Sequence, residues 1–361
     1  MSSRGPARLR IFGRAALGTL RRRASKRPPG PRSILVLHEL LLGDTLMLAP
    51  LLAALRARYP ATRILVTAPP ALVTLFSGRP YGVEPIAFSE RAPDALERLA
   101  PAAGCDIAFI PGDSLHAVTA RALGARWVVA FAGARPAWKD RFADELIAFP
   151  DSQRALGDIF ASLAGMDVPP FRTGDWPAPI SAPFDSPPGR YAVLHVGARS
   201  PLRYWVAERW QTLAERLAQQ GFEPVWSAGP GEAGLVDEID PARRYRSYAG
   251  NLDLAQLWRL FAGAGLAVTL DTGVAHLAKL TGTRTACLFG PGSAPLLGRG
   301  EFWREAPFVA VTVPEFPCRD QRFLFKRELQ WVRHCSRPRT QCPRARCMEA
   351  IGVDDVLAAL G

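Results

Sequence analysis

Long uninterrupted apolar runs are missing from this sequence, which excludes a helical membrane-spanning protein of the usual kind. A transmembrane helix needs about 20 consecutive apolar residues. The apolar stretch from Ile11 to Leu20 is shorter and is interrupted by Arg14 and Gly18. It also lacks a small-residue cleavage site, so we expect no secretory signal peptide. With 48% hydrophobic residues, the chain of 361 residues can still bury the cores of two globular domains.

Cysteine is also sparse, with six residues in the whole chain. This number is not typical of a secreted disulfide scaffold and favours free thiols in a reducing, cytoplasmic compartment. We expect Cys105 and Cys287 to be core residues, because they fall in or beside predicted strands. A four-thiolate zinc site near the C-terminus remains an alternative, although no C-x-x-C pair is present. It would use Cys318, Cys335, Cys342 and Cys347.

Acidic residues are absent from the first 27 residues, which carry nine Lys and Arg. Residues 317–346 carry nine more basic residues against two acidic ones. Since the net charge of the whole chain is +12, the remainder is slightly acidic. Two basic segments therefore carry the positive charge, and such segments bind anionic surfaces, either nucleic acid or phospholipid.

The first basic segment also has an amphipathic pattern. If residues 9–21 form a helix, one stripe is apolar and another is basic. The apolar stripe holds Leu9, Phe12, Ala16 and Leu20, and the basic one holds Arg10, Arg14 and Arg21. This pattern is typical of a helix lying on the anionic inner face of the cytoplasmic membrane. A disordered basic tail is the alternative.

Short apolar runs alternate with helical patterns along most of the chain, as in parallel sheets covered by helices. Strands are predicted at 34–37, 63–67, 83–88, 106–110, 127–131, 191–196, 223–227, 266–270 and 285–289. Helices are predicted at 46–58, 207–220, 254–262 and 274–280, with Gly43 and Asp44 in the turn before the first. The fold class is therefore α/β.

A proline-rich stretch interrupts this alternation and suits an interdomain linker. The sequence accordingly predicts a basic tail over 1–30, an N-terminal Rossmann-like domain over 31–168, a linker over 169–190 and a C-terminal Rossmann-like domain over 191–361. We expect the two parallel sheets to face a central cleft. Ligands of such sheets bind beyond the carboxyl ends of the strands, so residues that directly follow strands are the site candidates.

Three candidate segments follow strands of the C-terminal half. The segment from Asp271 to His276 opens a helix, whose backbone N–H groups suit a diphosphate; an ordinary helix N-cap is the alternative. Arg203 follows the strand at 191–196 and could neutralise a phosphate leaving group, unless it is a surface arginine. Glu232 follows the strand at 223–227 and could accept hydrogen bonds from a ribose, unless it is a solvated residue in a helix turn.

One candidate of the N-terminal half is Asp44, which follows Gly43 after the first strand. A carboxylate at that position can deprotonate an acceptor hydroxyl. A helix cap is the alternative, because Asp is favoured near helix N-termini.

Taken in order, these segments resemble glycosyltransferase family 9, the ADP-heptose:lipopolysaccharide heptosyltransferases. The resemblance extends from about Ser33 to Leu360. The segments that carry it begin with Leu42-Gly43-Asp44 and end with Cys342, Cys347-Met348 and Ile351; between them lie His195 to Ala198 with Trp205, Ala228 to Glu232, Ala249-Gly250-Asn251, Asp271-Thr272-Gly273 with His276, and Phe289-Gly290-Pro291.

The resemblance implies a GT-B fold and inverting, metal-independent transfer of a sugar from a nucleotide sugar, ADP-heptose in that family, onto a lipopolysaccharide core or related glycan. No cofactor is implied. The implied catalytic residues are Asp44 as the base and Arg203. We predict donor binding by Ala198, Arg199, Ser200, Glu232, Asp271, Thr272, Gly273 and His276, and acceptor binding by Gly43, Arg135 and Lys139.

The sequence departs from the family pattern at several positions. Arg203 stands where Lys is usual, and Gly292 where Thr is frequent. Val196, Ala228 and the pair His38-Glu39 replace Pro, Gly and basic residues respectively. Because of these changes, the sequence does not identify which sugar is transferred or which acceptor receives it. A non-catalytic or nucleic-acid-binding protein remains the alternative, but the basic segments lack the interleaved aromatic residues that stack on single strands.

Overall fold

A computed structural model describes residues 26–314 and 316–361, together with the single positions Gly13 and Ala15. Apart from those two positions, the amphipathic helix predicted for residues 9–21 lies outside the described part. The chain forms two compact units. The first runs to Ser152 and adds Gly157–Pro169 and Phe323–Gln330, and the second comprises Gln153–Leu156, Pro170–Arg322 and Trp331–Gly361.

The first unit is built on a parallel six-stranded sheet of order β3-β2-β1-β4-β5-β6. Its strands are β1 (Ser33–Val36), β2 (Arg63–Ala68), β3 (Glu84–Ala87), β4 (Ile107–Ile110), β5 (Trp127–Phe131) and β6 (Glu145–Ile147). This is the strand order of a doubly wound Rossmann sheet. The central strands are continuous apolar runs because helices and loops cover both faces of the sheet, and the core includes Leu35, Ala108 and Val128.

Helices α1 (Leu42–Leu46), α2 (Ala49–Arg58), α3 (Ala95–Arg98), α4 (Leu115–Ala122) and α5 (Leu156–Ser162) complete this part of the chain. The helix predicted over 46–58 is confirmed as α2, which begins three residues later, and the predicted turn before it is the short helix α1. Pro50 lies in the first turn of α2, where its missing N–H costs nothing. Asp44 consequently lies in the first turn of α1 rather than in a turn before a helix.

The second unit repeats the topology of the first. Its parallel sheet has the order β12-β11-β10-β7-β8-β9. The strands are β7 (Tyr191–His195), β8 (Glu223–Ser227), β9 (Arg246–Ser247), β10 (Leu266–Leu270), β11 (Thr285–Phe289) and β12 (Phe308–Thr312). In chain order, the fourth strand of each unit pairs with the first, β4 with β1 and β10 with β7. The predicted class of two Rossmann-like α/β domains is confirmed.

The helices of the second unit pack apolar faces on this sheet. They are α6 (Ala207–Gln219), α7 (Ala233–Ile239), α8 (Leu254–Ala262), α9 (Gly273–Leu280), α10 (Ala294–Leu297), α11 (Arg346–Glu349) and α12 (Val353–Leu360). Trp210 of α6 and Trp226 of β8 are fully buried in the same core as Val356 of α12. Helix α8 begins with a capping box in which Asp253 and Gln256 satisfy each other's backbone N–H groups.

The proline-rich segment predicted as a linker packs against the second unit. The backbone N–H of Phe171 donates to the carbonyl of Phe302 at 2.7 Å, and Trp176 is buried. The backbone carbonyl of Asp185 accepts a hydrogen bond from the hydroxyl of Tyr248. Prolines fix the backbone of this segment, but its side chains and carbonyls belong to the second core.

A short hairpin from the C-terminal part of the chain belongs to the first unit, which the prediction of one domain over 191–361 did not foresee. Its strands are β13 (Phe323–Leu324) and β14 (Arg327–Glu328). The buried guanidinium of Arg327 donates to the backbone carbonyls of Phe131 and Ala132 and to the hydroxyl of Ser114. Five donors in a planar fork let this one side chain bind several strand-end acceptors.

In the described part of the chain, no helix is long and apolar enough to cross a membrane.

Candidate functional site

Polar residues of the second unit gather where β7, β8 and β10 end. Strand β7 pairs with β8 on one side and with β10 on the other, and the strand order reverses between β7 and β10. Such a reversal opens a crevice at the carboxyl ends of the strands, where ligands of doubly wound sheets bind. The predicted donor-binding residues follow these three strands, so the sheet brings distant sequence segments to one edge.

Arg203 and Asp271 meet at this edge. Arg203 ends the 3-10 helix Pro201–Arg203, and Asp271 directly follows β10. The guanidinium donates a hydrogen bond to the backbone carbonyl of Asp271 and lies 3.7 Å from the Oδ2 atom of its carboxyl group. Since 31% of the Arg203 side chain remains exposed, the cation is held in place and is still accessible to an anionic group.

The carboxyl group of Asp271 is buried, and its Oδ2 atom has no hydrogen-bond partner among the described residues. Burial raises the pKa of this carboxyl and outweighs the charges of Arg203 and His334, which lower it. A buried polar atom without a partner costs about 1–3 kcal/mol. The Asp271 carboxyl is therefore an unsatisfied group that a ligand hydroxyl could satisfy.

Gly292 makes room for this carboxyl. It lies in the loop between β11 and α10, and a Cβ atom at this position would overlap the Oδ2 atom of Asp271. The sequence marks Gly292 only as a departure from the family pattern. The structure supplies the physical reason, because the Asp271 side chain occupies the space that a larger residue at 292 would need.

Helix α9 begins at the same edge, with Thr272 as its N-cap residue. Thr272 makes no side-chain cap hydrogen bond, so the alternative of an ordinary side-chain N-cap is not met. His276 lies one turn into α9 and is buried, and its Nδ1 atom has no hydrogen-bond partner within the described chain. Burial, followed by the charges of Lys279 and Arg203, lowers the pKa of His276 well below its usual value, so its imidazole is neutral at pH 7.

Glu232 reaches back from the start of α7 to the loops after β7 and β8. Its Oε2 atom accepts a hydrogen bond of 2.7 Å from the backbone N–H of Gly229. A Cβ atom at Gly197 would overlap the same oxygen. Glu232 is half-buried, so solvent reaches only part of its side chain. The two glycines let its carboxylate lie between the loops.

The remaining predicted donor residues lie in the loop after β7. Ala198 is buried, Ser200 is half-buried and the side chain of Arg199 is exposed. Ser200 is the N-cap residue of the helix that ends at Arg203, but it makes no side-chain cap hydrogen bond. The loop therefore supplies backbone groups and one exposed cation beside Arg203.

In the first unit, Gly43 and Asp44 lie in the first turn of α1, beyond the carboxyl end of β1. Asp44 is half-buried. The preceding loop is fixed by a hydrogen bond from the hydroxyl of Thr45 to the carbonyl of Leu40 at 3.2 Å and by one from the N–H of Leu40 to His38 at 3.1 Å. Position and exposure agree with those expected of a general base.

The two predicted basic acceptor residues differ. Lys139 is buried, and its ammonium group donates to Asp113 at 2.6 Å. This pairing favours a structural role for Lys139. Arg135 is 63% exposed and lies 3.3 Å from Glu328 of the hairpin, so its guanidinium is accessible. The sequence did not indicate Asp113 or Glu328 as partners, because both pairs form through the tertiary structure.

The four C-terminal cysteines line one cavity of about 810 Å³ in the second unit. All six thiols of the chain are free. Among the described residues, one group of three potential metal ligands is closely spaced, and it contains none of these cysteines. The four cysteines of the zinc alternative therefore share a cavity, but their sulfur atoms are not among the closely spaced ligand atoms. The close group consists of Glu39, Glu90 and His116 of the first unit.

Comparison with known sequences agrees with this arrangement. Residues 180–310 match the profile of glycosyltransferase family 9 (heptosyltransferase). Lipopolysaccharide heptosyltransferase 1 of Pseudomonas aeruginosa is 30% identical over 178 residues, which are 45% of this chain and 50% of that protein. Its namesake in Escherichia coli K12 is 30% identical over 113 residues, 30% of this chain and 35% of that protein. The chain thus spans half or less of the length of these curated relatives.

Solved structures extend the likeness over most of the chain. The structure of E. coli ADP-heptose lps heptosyltransferase II has a TM-score of 0.66 at 18% identity and covers 91% of this chain and 98% of that one. The structure of E. coli heptosyltransferase WaaC with ADP has a TM-score of 0.61 at 17% identity. The match covers 77% of this chain and 92% of that chain. These likenesses show the GT-B fold, and the predicted resemblance to glycosyltransferase family 9 is confirmed.

Proposed function

From this family resemblance and the edge of the second sheet, we propose that the protein is a glycosyltransferase. It transfers a heptose from ADP-heptose onto a lipopolysaccharide core or a related glycan. The observation that carries the proposal is the convergence of Arg203, Glu232 and the unsatisfied Asp271 carboxyl at the ends of three adjacent strands. This set offers a cation for a diphosphate, a carboxylate for a ribose diol and an open position for a sugar hydroxyl.

The proposed reaction is a single displacement with inversion. The acceptor hydroxyl oxygen attacks the anomeric carbon, its proton passes to the Asp44 carboxylate, and the bond from the anomeric carbon to the diphosphate breaks with its electrons leaving on ADP. Arg203 and the N-terminus of α9, a helix of eight residues, stabilise the negative charge that develops on the leaving diphosphate. Because these groups are fixed in the protein, the donor diphosphate needs no metal.

The experiment is direct incubation with ADP-heptose and a Kdo-lipid A acceptor, followed by mass spectrometry of the lipid. Addition of one heptose with release of ADP is the expected result. A panel of other nucleotide sugars, screened by thermal stabilisation of the protein, identifies the donor if ADP-heptose is not the best ligand. Stabilisation by no nucleotide sugar in the panel would contradict the proposal.

The alternative of a nucleic-acid-binding protein is less well supported. Three arginines of the basic segment 317–346 are used inside the fold. Arg319 donates to the carbonyls of Gly290 and Val313, Arg327 to strand ends of the first unit, and Arg337 to the carbonyl of Cys318. Side chains that hold loops together are less available for phosphate contacts.

We further propose that the basic residues 1–27 hold the enzyme reversibly on the inner face of the cytoplasmic membrane. Each Lys or Arg near an anionic leaflet contributes about 1 kcal/mol. Deletion of residues 1–27 should release the protein from anionic vesicles while transfer to a delipidated acceptor continues. High salt should act like the deletion. Vesicle binding that survives both treatments would mean that the contact lies elsewhere.

A further inference from the structure

Three side chains of the first unit form the close group noted above. Glu39 follows β1, Glu90 follows β3, and His116 lies in the first turn of α4 after β4. One ligand atom of each lies within 4.8 Å of the other two. The group flanks the position where the strand order of the first sheet reverses, between β1 and β4. The sheet therefore brings three residues from separate sequence segments to the edge where such folds bind ligands.

The hydrogen bonds of His116 define its protonation. Its Nδ1 atom lies 3.1 Å from the backbone carbonyl of Asp113. A carbonyl oxygen only accepts, so Nδ1 carries the proton and donates it. The Nε2 atom is then the ring nitrogen that is left to face other groups. A ring N–H that donates to a backbone carbonyl is also the usual arrangement of a histidine that binds a metal through its other nitrogen.

The Nε2 atom of His116 faces the carboxylates. It lies 3.1 Å from Oε1 of Glu90, is buried and has no hydrogen-bond partner in the described chain. No hydrogen bond joins these two atoms among the described residues, so N–H donation by His116 does not account for their close approach. Two ligands that bind one ion at about 2.0–2.2 Å lie roughly 3 Å apart, as these atoms do.

Several polar and charged side chains lie around the group, and the hydroxyl of Ser89 donates a hydrogen bond of 2.7 Å to Glu39. Lys139 and Lys326 lie close by, but both ammonium groups pair with Asp113, at 2.6 Å and 2.8 Å. Lys326 also attracts Glu90 electrostatically. His38 is buried beside His116, and burial is the main cause that lowers its pKa to about 3, so it is neutral at pH 7. The group itself combines two carboxylates with one imidazole, a set of oxygen and nitrogen ligands that suits a divalent cation.

We propose that Glu39, Glu90 and His116 form a binding site for one divalent transition-metal ion on the first unit. One imidazole and two carboxylates suit Mn²⁺, Fe²⁺ or Zn²⁺ better than Ca²⁺ or Mg²⁺, which take oxygen ligands alone. Glu90 and Glu39 are partly exposed, so coordination positions stay open to water or to a ligand oxygen. The proposed metal ligands belong to the first unit alone, whereas the proposed donor-binding residues belong to the second unit.

The test uses Mn²⁺ with the full-length, EDTA-treated protein, because Mn²⁺ prefers oxygen and nitrogen to the six free thiols. Equilibrium dialysis and electron paramagnetic resonance should find one bound Mn²⁺ per chain, and Zn²⁺ should displace it. His116→Ala and Glu39→Gln should each weaken Mn²⁺ binding by at least about tenfold, because loss of even a residue that only supports a ligand weakens metal binding that much. Glu97→Gln, in the exposed helix α3, is the matched control and should bind Mn²⁺ as the unchanged protein does.

Circular dichroism separates loss of the site from loss of the fold. His116 is buried, so its variant could unfold. Glu39 is only half-buried, and the side chain of glutamine has the same shape as that of glutamate. Failure of the unchanged protein to bind Mn²⁺ stoichiometrically would overturn the proposal, as would undiminished binding by folded Glu39→Gln and His116→Ala. Either outcome would leave His116 and Glu90 as a polar contact without a bound ion. The donor assay of the proposed function is independent of all these measurements.

Discussion

Two aspartates at corresponding positions of the two units have opposite environments. Asp113 follows β4 and Asp271 follows β10, the fourth strand of each unit in chain order. Burial alone would raise the pKa of Asp113, but hydrogen bonds from Lys139 and Lys326 lower it to about 2. Burial raises the pKa of Asp271, and its Oδ2 atom has no hydrogen-bond partner among the residues described.

The difference teaches how one topology serves two purposes. A shared strand order brings the same strand ends to the edge of both sheets, so position alone does not distinguish the units. The charged neighbours decide whether a carboxyl group at that edge is satisfied by the protein or left for a ligand. Asp113 is a satisfied carboxylate that ties two lysines to the first unit. Asp271 is an unsatisfied one, as expected where a ligand is to bind.

The largest effect is expected at Asp44, which would assign proton transfer to the first unit. Asp44→Asn should lower turnover by about 10² or more, the usual contribution of a positioned general base. Donor affinity, measured by calorimetry with the nucleotide sugar, should stay within twofold. Asp167→Asn, at an exposed position of the same unit, is the control. Near-normal turnover of the Asp44 variant would show that Asp44 is not the base and serves only at the helix terminus.

Donor binding should depend on the second unit. Arg203→Ala and Glu232→Ala should each weaken nucleotide-sugar binding by roughly 1.5–3 kcal/mol, the value of a charged hydrogen bond. Arg216→Ala, which removes an exposed arginine paired with Asp354, should leave the affinity unchanged. EDTA should not alter the dissociation constant in calorimetry. If donor binding strictly required Mg²⁺ or Mn²⁺, the proposal that protein groups alone offset the diphosphate charge would be contradicted.

Asp113→Asn should destabilise the folded protein, because it removes the carboxylate that pairs with Lys139 and Lys326. The folded-state pKa of Asp113 is about 2 and the unfolded one about 4. Because solvent screens part of the interaction of this half-buried group, we expect its ionised form to contribute about 1–2 kcal/mol above pH 4. That contribution is lost as the pH falls towards 2. Denaturant titrations of both proteins at several pH values should show curves that differ at pH 7 and converge in acid. An equal difference at every pH would rule out the ion pairs as the cause.

Asp271→Asn should change the free energy of unfolding in the opposite direction to Asp113→Asn, and by a smaller amount. A raised folded-state pKa means that the native protein holds this proton where the unfolded chain has lost it. The resulting stability is present below the unfolded pKa of about 4 and is lost as the pH rises through the folded value. The amide should therefore raise the free energy of unfolding by about 1 kcal/mol near neutral pH, while nucleotide-sugar binding weakens. A variant that is destabilised at neutral pH would show that Asp271 is satisfied after all.

Much of this site could be predicted from sequence because its residues follow strands directly. A buried strand followed by Asp271-Thr272-Gly273 marks a helix N-terminus at the edge of a sheet, and the same reasoning located Arg203 and Glu232. Gly292 could only be recognised as unusual. Its role depends on the direction of the Asp271 side chain, which no local pattern encodes.

The sequence by itself determined the alternation of strands and helices, the two parallel sheets and the strand ends at which polar residues gather, because hydrophobic periodicity and turn residues are local properties. Only the tertiary structure decided that the hairpin at Phe323–Gln330 joins the first unit and that Lys139 is paired with Asp113. It also brought Glu39, Glu90 and His116 together. These contacts join residues far apart in the chain, and their energies depend on burial and neighbouring charge, which arise only when the strands are assembled.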